Sequence, residues 1–560
     1  MSNKKYILIF FFVGFLVFAN ALFNNFVWDD KVFIIGNPDL YSFNVLKLFG
    51  KNYFNYGSYY KPISAIYFSA LYTLFGQNAF YYHLFQLVLH ILSVYLVFII
   101  FRKFMKEKIS FFLSLIFLVH PMNVESVSYI SSSVSEVYFV FGAIAFLKAV
   151  KDNPKITSLI FIYLFILLSL FTKETGIVFL LLILIYRFIF NRIKFLYFCL
   201  ASFMTLAIYI FVRWLLHGFE LINVYSIPIM RLSFWERMIN VPAVLFYYLK
   251  TFFFPITLSV DQLWIVTKIN LTNFYLPLFV LFFFFSVLFY FTVRLHLVDN
   301  HKSKKLIFFL IWFLVGILPY TQIVALDMTV ADRWFYFAMV GLIGTLGILA
   351  EKLSIRFNRI FFSSLIIILI LFGLRTIIRN SNWQTASTLF SHDIKIEDNY
   401  DIENALGAEL ILDGKYKEAK TYLEKSVATL PYETNLTNLG IAYQKLGDLE
   451  SARNIYEKAL GAKNYNLDTS HKHYELTYAN LAEILIVQGN DNKARNLTKA
   501  AVSDYPDSVR LWLYLAISEY KLGNKKDALI AGKRANTISD DIITKYVYDQ
   551  MKNNLPVKIQ

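Results

Sequence analysis

A single cysteine, Cys199, stands among 560 residues. It falls inside an apolar run, so neither a disulfide framework nor a thiol metal site can form within the chain. No HExxH or CxxC spacing occurs. His83 and His90 are seven residues apart, two helical turns, which is too far for a shared ion. Acidic residues are scarce in the first two thirds: residues 1–382 hold 15 against 32 basic ones, whereas residues 383–560 hold 24 against 22. The formal net charge of +15 therefore belongs to the first part. Basic residues there flank apolar runs, as in membrane proteins, so no nucleic acid is expected as a partner.

What is abundant is apolar surface. Hydrophobic residues make up 57% of the chain and aromatics 19%. A helix needs roughly 20 apolar residues to cross a bilayer. Runs approaching that length lie near residues 6–23, 83–101, 108–120, 130–150, 155–171, 175–191, 194–216, 273–294, 305–320, 333–350 and 357–374. Lys4 and Lys5 before the first run could mark a signal peptide, but no small-residue cleavage site follows, and a retained first helix is expected. The run 240–254 carries Pro242 and Lys250 and stops at Pro255. With that run non-spanning and the N-terminus inside, the clusters Arg102/Lys103/Lys106/Lys108, Lys151/Lys155, Arg187/Arg192/Lys194, Arg294–Lys305 and Lys352/Arg356/Arg359 all fall inside. That is the positive-inside pattern. The expectation is an all-α polytopic bundle of about eleven spans over residues 1–382, whose polar loops gather at the outer surface. Charges near the midplane and repeated halves, the marks of a transporter, are not evident.

Residues 403–560 follow a connector at 383–402 and carry a repeat of roughly 34 residues. Leu406-Gly407, Leu439-Gly440, Leu481-Ala482 and Leu515-Ala516 hold the same two positions. Gly414, Gly447, Gly489 and Gly523 follow at each helix–helix turn, and Ala419, Ala452, Ala494 and Ala528 beyond them. A short insert near Gly461–His471 stretches the spacing. This pattern resembles tetratricopeptide repeats, which stack into a superhelix with a concave groove suited to protein or peptide. Residues 536–560 read as a cap and tail.

Several motifs occur in order. Trp28-Asp29-Asp30 with Asn37-Pro38 comes first, then Tyr60-Lys61-Pro62, His120-Pro121 with Glu125-Ser126-Val127 and Ser131–Ser133, Lys173-Glu174 with Gly176, and Asp332-Arg333-Trp334-Phe335-Tyr336. Joined to the repeats, this set resembles the transmembrane and tetratricopeptide-repeat-containing O-mannosyltransferases of the GT-C superfamily. Two positions depart from the family habit: Lys61 stands where arginine is usual and Asp332 where glutamate is common, keeping charge but not geometry. The resemblance implies transfer of a sugar, mannose or another hexose, with inversion, from a polyprenyl-phosphate donor. The acceptor is a hydroxyl, that of an extracytoplasmic protein Ser/Thr. The donor's tail would lie in a hydrophobic groove between spans, and the repeats would hold the acceptor. Without a glycine-rich phosphate loop, a nucleotide-sugar donor is not expected.

Such transfer needs a base for the acceptor hydroxyl and cations for the phosphate leaving group. Asp29 is the expected base, with Asp30 setting its charge state or orienting the acceptor. Two carboxylates so close do not easily both stay ionised, and a raised pKa suits a base. The pair could instead hold a divalent ion, Mg2+ or Mn2+; no other metal site is expected. Arg333 can clamp phosphate bidentately or merely snorkel at a helix end. Lys173 can grip phosphate or form a salt bridge with Glu174; Lys61 can reach phosphate or lie solvated. His120 can cap the third span or bond the donor, and Glu125 can support the site electrostatically or sit at an ordinary surface. Trp28 can stack on sugar or anchor the interface.

Two other readings compete: a non-enzymatic membrane-anchored repeat scaffold for envelope assembly, and a glycan ligase or polymerase acting on lipid-linked oligosaccharide. The abundance of Lys, Asn, Ile and Phe with few Pro and Cys suggests an AT-rich genome. The expected location is accordingly a bacterial cytoplasmic membrane.

Overall fold

A computed structural model of the chain describes residues 3–50, 60–151, 155–217, 227–356, 358–462, 472–539 and 541–557. They fall into two compact units, and the chain passes from one to the other between Glu397 and Asp398. Among the described residues the regular structure is helical; the sole β feature is an isolated bridge between Gln262 and Val330.

In the first unit the helices are α1 (Asn3–Phe18), α2 (Pro62–Phe75), α3 (Ala79–Phe101), α4 (Glu107–Val119), α5 (Val134–Ala149), α6 (Thr157–Thr172) and α7 (Ile177–Phe190). They continue as α8 (Phe195–His217), α9 (Phe234–Phe253), α10 (Leu276–Val298), α11 (Asn300–Ile317), α12 (Tyr336–Arg356), α13 (Asn358–Asn382) and the short α14 (Ala386–Asp393). Every apolar run becomes a helix, because a helix satisfies its own backbone polar groups where water is missing. Among the described residues, eight stretches are long and apolar enough to cross a membrane, and a ninth is bent by 50° between α4 and Pro121–Ser128. The bend follows from Pro121, which drives the residue before it, His120, out of helical geometry. The other two of the eleven expected spans, α6 with 16 residues and α7 with 14, are shorter and meet at the polar turn Lys173–Gly176. The stretch 240–254 is the second half of α9, opened by a Ser233–Glu236 capping box and carrying Pro242 inside.

Close packing of α11 on α12 sets the site's far wall. A Cβ on Gly341 would come within 2.3 Å of the Phe313 backbone nitrogen, so only glycine admits this approach. The Asp332–Phe335 turn that opens α12 is thereby held against the bundle.

The expected connector divides at the unit boundary. Trp383 is fully buried, and the Arg379 guanidinium donates to Asp393 Oδ1 at 2.6 Å and Oδ2 at 3.0 Å. The Val260 amide also donates to Asp393, at 2.8 Å. Arg379 holds that carboxyl below the usual carboxylate range although burial acts the other way. Residues to Glu397 thus pack as part of the first unit.

The second unit is a run of helix pairs: α15 (Tyr400–Leu412) with α16 (Tyr416–Thr429), α17 (Glu433–Lys445) with α18 (Leu449–Gly461), α19 (Lys472–Val487) with α20 (Asp491–Asp504), and α21 (Val509–Lys521) with α22 (Lys525–Ile538). A last helix, α23 (Ile542–Lys552), covers the end. Gly414, Gly447, Gly489 and Gly523 hold φ of 75°, 84°, 74° and 85°, the left-handed turn that their spacing predicts. The expected insert near Gly461–His471 lies almost wholly outside the described residues.

Candidate active site at the loop after the first helix

The loop after α1 is sewn to the far end of α13. The Asn24 side chain donates to the Asn380 carbonyl at 3.2 Å, and the Asn25 amide donates to the Gln384 carbonyl at 3.0 Å. Trp28 then takes left-handed backbone, φ 50°, which a bulky residue adopts only where its surroundings enforce it. The following tight turn, with the Asp30 amide donating to the Val27 carbonyl at 3.0 Å, separates the two carboxylates.

Asp30 points inward and is fully buried. Its Oδ2 accepts from the Val27 amide at 3.1 Å; its Oδ1 accepts from the Ser131 amide at 2.7 Å and hydroxyl at 2.5 Å. Burial raises it to about 7, against those hydrogen bonds. Asp29 stays half-buried, and its Oδ2 accepts from the Tyr129 hydroxyl at 2.7 Å. The Tyr129 ring lies between Trp28 (centroids 5.5 Å apart, interplanar angle 26°) and Trp383 (5.6 Å, 28°). A stack of three rings therefore carries the group that orients Asp29.

Arg333 reaches the same stack. Its guanidinium lies 5.9 Å from the Trp28 ring centroid, 5.8 Å from Tyr129 and 5.9 Å from Trp334. It donates to Glu125 Oε1, and its amide donates to Glu125 Oε2 at 3.0 Å. Its side chain is only 13% exposed, so it is caged rather than snorkelling. Beside it, the Tyr247 hydroxyl donates to Asp332 at 2.9 Å.

Lys173 lies over the Tyr138 ring at 5.8 Å. It keeps some accessible surface, yet burial of its ammonium, with the positive charges of Lys61 and Arg333 near, brings it down to about 7. Glu174 pairs with Arg213, whose Nη1 donates to it at 3.2 Å. Three cations from three parts of the chain thus act on one another, a charge arrangement that an anion relieves.

His120 serves the fold. The Met122 amide donates to its Nδ1 at 3.3 Å, so Nε2 carries the proton and donates to the Phe252 carbonyl at 3.0 Å. With both nitrogens engaged and the residue fully buried, the expectation that it bonds a donor does not hold. The expected alternative of Mg2+ or Mn2+ on the aspartate pair does not fit either. Asp30 spends its oxygens on Val27 and Ser131 while Asp29 turns to Tyr129. Among the described residues no group of three or more His, Cys, Asp or Glu side chains converges. His83 and His90 are buried hydrogen-bonding posts, facing the Asn24 carbonyl at 3.1 Å and the Leu118 carbonyl at 3.1 Å.

A tetratricopeptide-repeat family model matches residues 434–466. Over 449 residues, 74% of this chain, the sequence is 23% identical to protein O-mannosyl-transferase F38B6.6 of Caenorhabditis elegans, covering 61% of that protein. Over 547 residues, 87% of this chain, it is 23% identical to protein O-mannosyl-transferase TMTC3 of Homo sapiens, covering 59% of it. The chain is similar to protein O-mannosyl-transferases. A shorter match, 28% over 182 residues, links it to protein O-mannosyl-transferase Tmtc1 of Drosophila melanogaster, covering 30% of this chain and 21% of that one. The chain spans about three fifths of the length of the first two relatives.

Beside this O-mannosyl-transferase-like pattern, sequence reasoning missed Tyr129, Trp383, Arg213 and Glu136. The first three act through partners about 40 to 250 residues away, which no local pattern reveals. Glu136 did leave a signal: it is a carboxylate inside an apolar span, expensive there unless used.

Proposed function

We propose that the chain is an integral-membrane glycosyltransferase of GT-C type. It moves a hexose such as mannose from a polyprenyl-phosphate carrier to a Ser or Thr hydroxyl of an extracytoplasmic protein. The observation that carries this reading is the shared platform: Asp29 and Arg333 meet the same Trp28–Tyr129 pair. Base and leaving-group cation are then within one substrate's reach.

Asp29 takes the acceptor hydroxyl's proton as that oxygen bonds to the anomeric carbon. The bond from that carbon to the phosphate oxygen breaks, with inversion. The departing lipid phosphate gains its charge beside Arg333, Lys173 and Lys61, where fixed cations stabilise it most. Asp30 positions the base by tying the loop to Ser131, and Glu125 aims Arg333. Helix α9 supports the Asp332 turn through Tyr247. It also lines, with α10, an apolar groove of about 560 Å³ bordered by Pro242, Leu245, Leu281 and Phe285. That groove suits a prenyl tail. With the N-terminus inside, the site and the repeats share the outer side of the membrane, where the repeat groove selects the acceptor.

The test is mass spectrometry of acceptor proteins incubated with the purified chain, native and Asp29→Asn, and polyprenyl-phosphate hexoses. A hexose mass gain on serine or threonine, absent with the variant, is expected. No gain with any donor from folded protein would move the reading to a repeat scaffold.

A further inference from the structure

Beneath the aspartate loop lies a polar cluster with no task in the fold. Glu136 occupies the first turn of α5, five residues after Ser131, the residue that pins Asp30. It is fully buried, and among the described residues neither of its carboxylate oxygens has a hydrogen-bond partner. The Tyr67 hydroxyl, on the helix that starts beside Lys61, faces Ser133 without reaching it in hydrogen-bond geometry. Ser132, Ser133 and Ser135 add three more buried hydroxyls without a partner there. Lys173 is the cation whose charge acts on Glu136. A buried carboxylate and hydroxyls left unbonded destabilise the fold by themselves, so their retention calls for a ligand that completes them.

Chemistry narrows that ligand. The buried Glu136 carboxyl offers a phosphate no positive charge. A metal ion would face the Lys173 charge and finds no group of three His, Cys, Asp or Glu side chains among the described residues. A neutral polyol fits. Its hydroxyls donate to the Glu136 oxygens and accept from Tyr67 and the serines.

We propose that Glu136, with the Tyr67 and Ser133 hydroxyls, is the subsite that grips the hydroxyls of the transferred sugar and sets which sugar is used. This rests on the glycosyltransferase reading above. The subsite lies near the base loop on one side and the Lys173 turn on the other, where the sugar of a phosphate-linked donor must sit.

The experiment compares the full chain with Glu136→Gln and Tyr67→Phe, using polyprenyl-phosphate mannose and polyprenyl-phosphate glucose, which differ at one hydroxyl. Melting temperature without donor is read alongside transfer kinetics. Tyr67→Phe removes a buried hydroxyl that lacks a partner, so it should raise Tm by about 2 °C while raising the donor KM. Glu136→Gln should raise the donor KM about 10-fold and shrink the preference between the two sugars by a similar factor. Opposite signs for stability and donor use are what a purely structural role does not give. If the wild type transfers sugar and both variants keep its KM and preference, the subsite is wrong while the enzyme stands. If the wild type transfers neither sugar, the underlying reading fails and the subsite with it.

Discussion

The Tyr129 hydroxyl donates a 2.7 Å hydrogen bond to Asp29 Oδ2, tying the first loop of the chain to a residue one hundred positions on. That bond fixes one carboxylate oxygen of the half-buried Asp29. Asp29→Asn keeps the shape and loses the base, so transfer should fall by about 1000-fold with Tm unchanged. Tyr129→Phe keeps the ring stack and loses only the orienting hydroxyl, and kcat should fall by about 10-fold. Transfer assays with thermal melts separate the two. An Asp29→Asn protein of full activity would falsify its role as base.

Asp30 gives a pH signature of stability. Its carboxyl titrates near 7 when folded, above its ordinary value of 3.8. The folded state therefore binds the proton more tightly, and the stability from protonation is complete below 3.8 and fades as pH rises toward 7. Melting temperature should decline across that window, and Asp30→Asn should flatten the decline. The amide cannot accept from both Val27 and Ser131, so the variant should also lose about 1–3 kcal/mol at pH 5. Melts at pH 4, 5.5 and 7 are the check.

Arg333 and Glu125 divide affinity from stability. Arg333→Lys keeps charge but loses the planar fork, and the donor KM should rise about 10-fold with little change in melting. Glu125→Ala strands a caged guanidinium and should cost about 3 kcal/mol. A donor KM unmoved by Arg333→Lys would rule out the phosphate clamp.

Lys173 links donor binding to pH. Held near 7 in the free protein, it loses its charge as pH climbs through neutrality. Affinity for the anionic donor should weaken by up to about 10-fold between pH 6 and 8. Lys173→Met should bind weakly at both pH values and show no such slope. Donor titrations followed by tryptophan fluorescence would read it.

The fold was the more legible part. Apolar run length and the spacing of Gly414, Gly447, Gly489 and Gly523 are local properties, and each became the helix or turn it implied. The span count was less legible, because α6 and α7 stop short where Lys173 and Glu174 interrupt the apolar pattern. At the candidate site, charge in the polar turns between apolar runs pointed to Asp29, Arg333 and Lys173. Sequence reasoning made Asp29 the base and let Asp30 set its charge state or orient the acceptor, but it could not see that Asp30 turns inward to Ser131. Nor could it foresee that Glu174 turns to Arg213, or that His120 spends both nitrogens on backbone.

Trp383 stands just past the last membrane helix, and it closes the ring stack behind Tyr129. Asn24 and Asn25 lean on Asn380 and Gln384 in the same place. The loop holding Asp29 and its backing stand more than three hundred positions apart, with helices α2–α13 between them. Until α13 is made and packed, the Asp29 loop therefore lacks the wall that holds it. The ring stack is complete only when the end of α13 has folded back onto the first loop, so a chain cut before Trp383 leaves Tyr129 and the Asp29 loop unbacked.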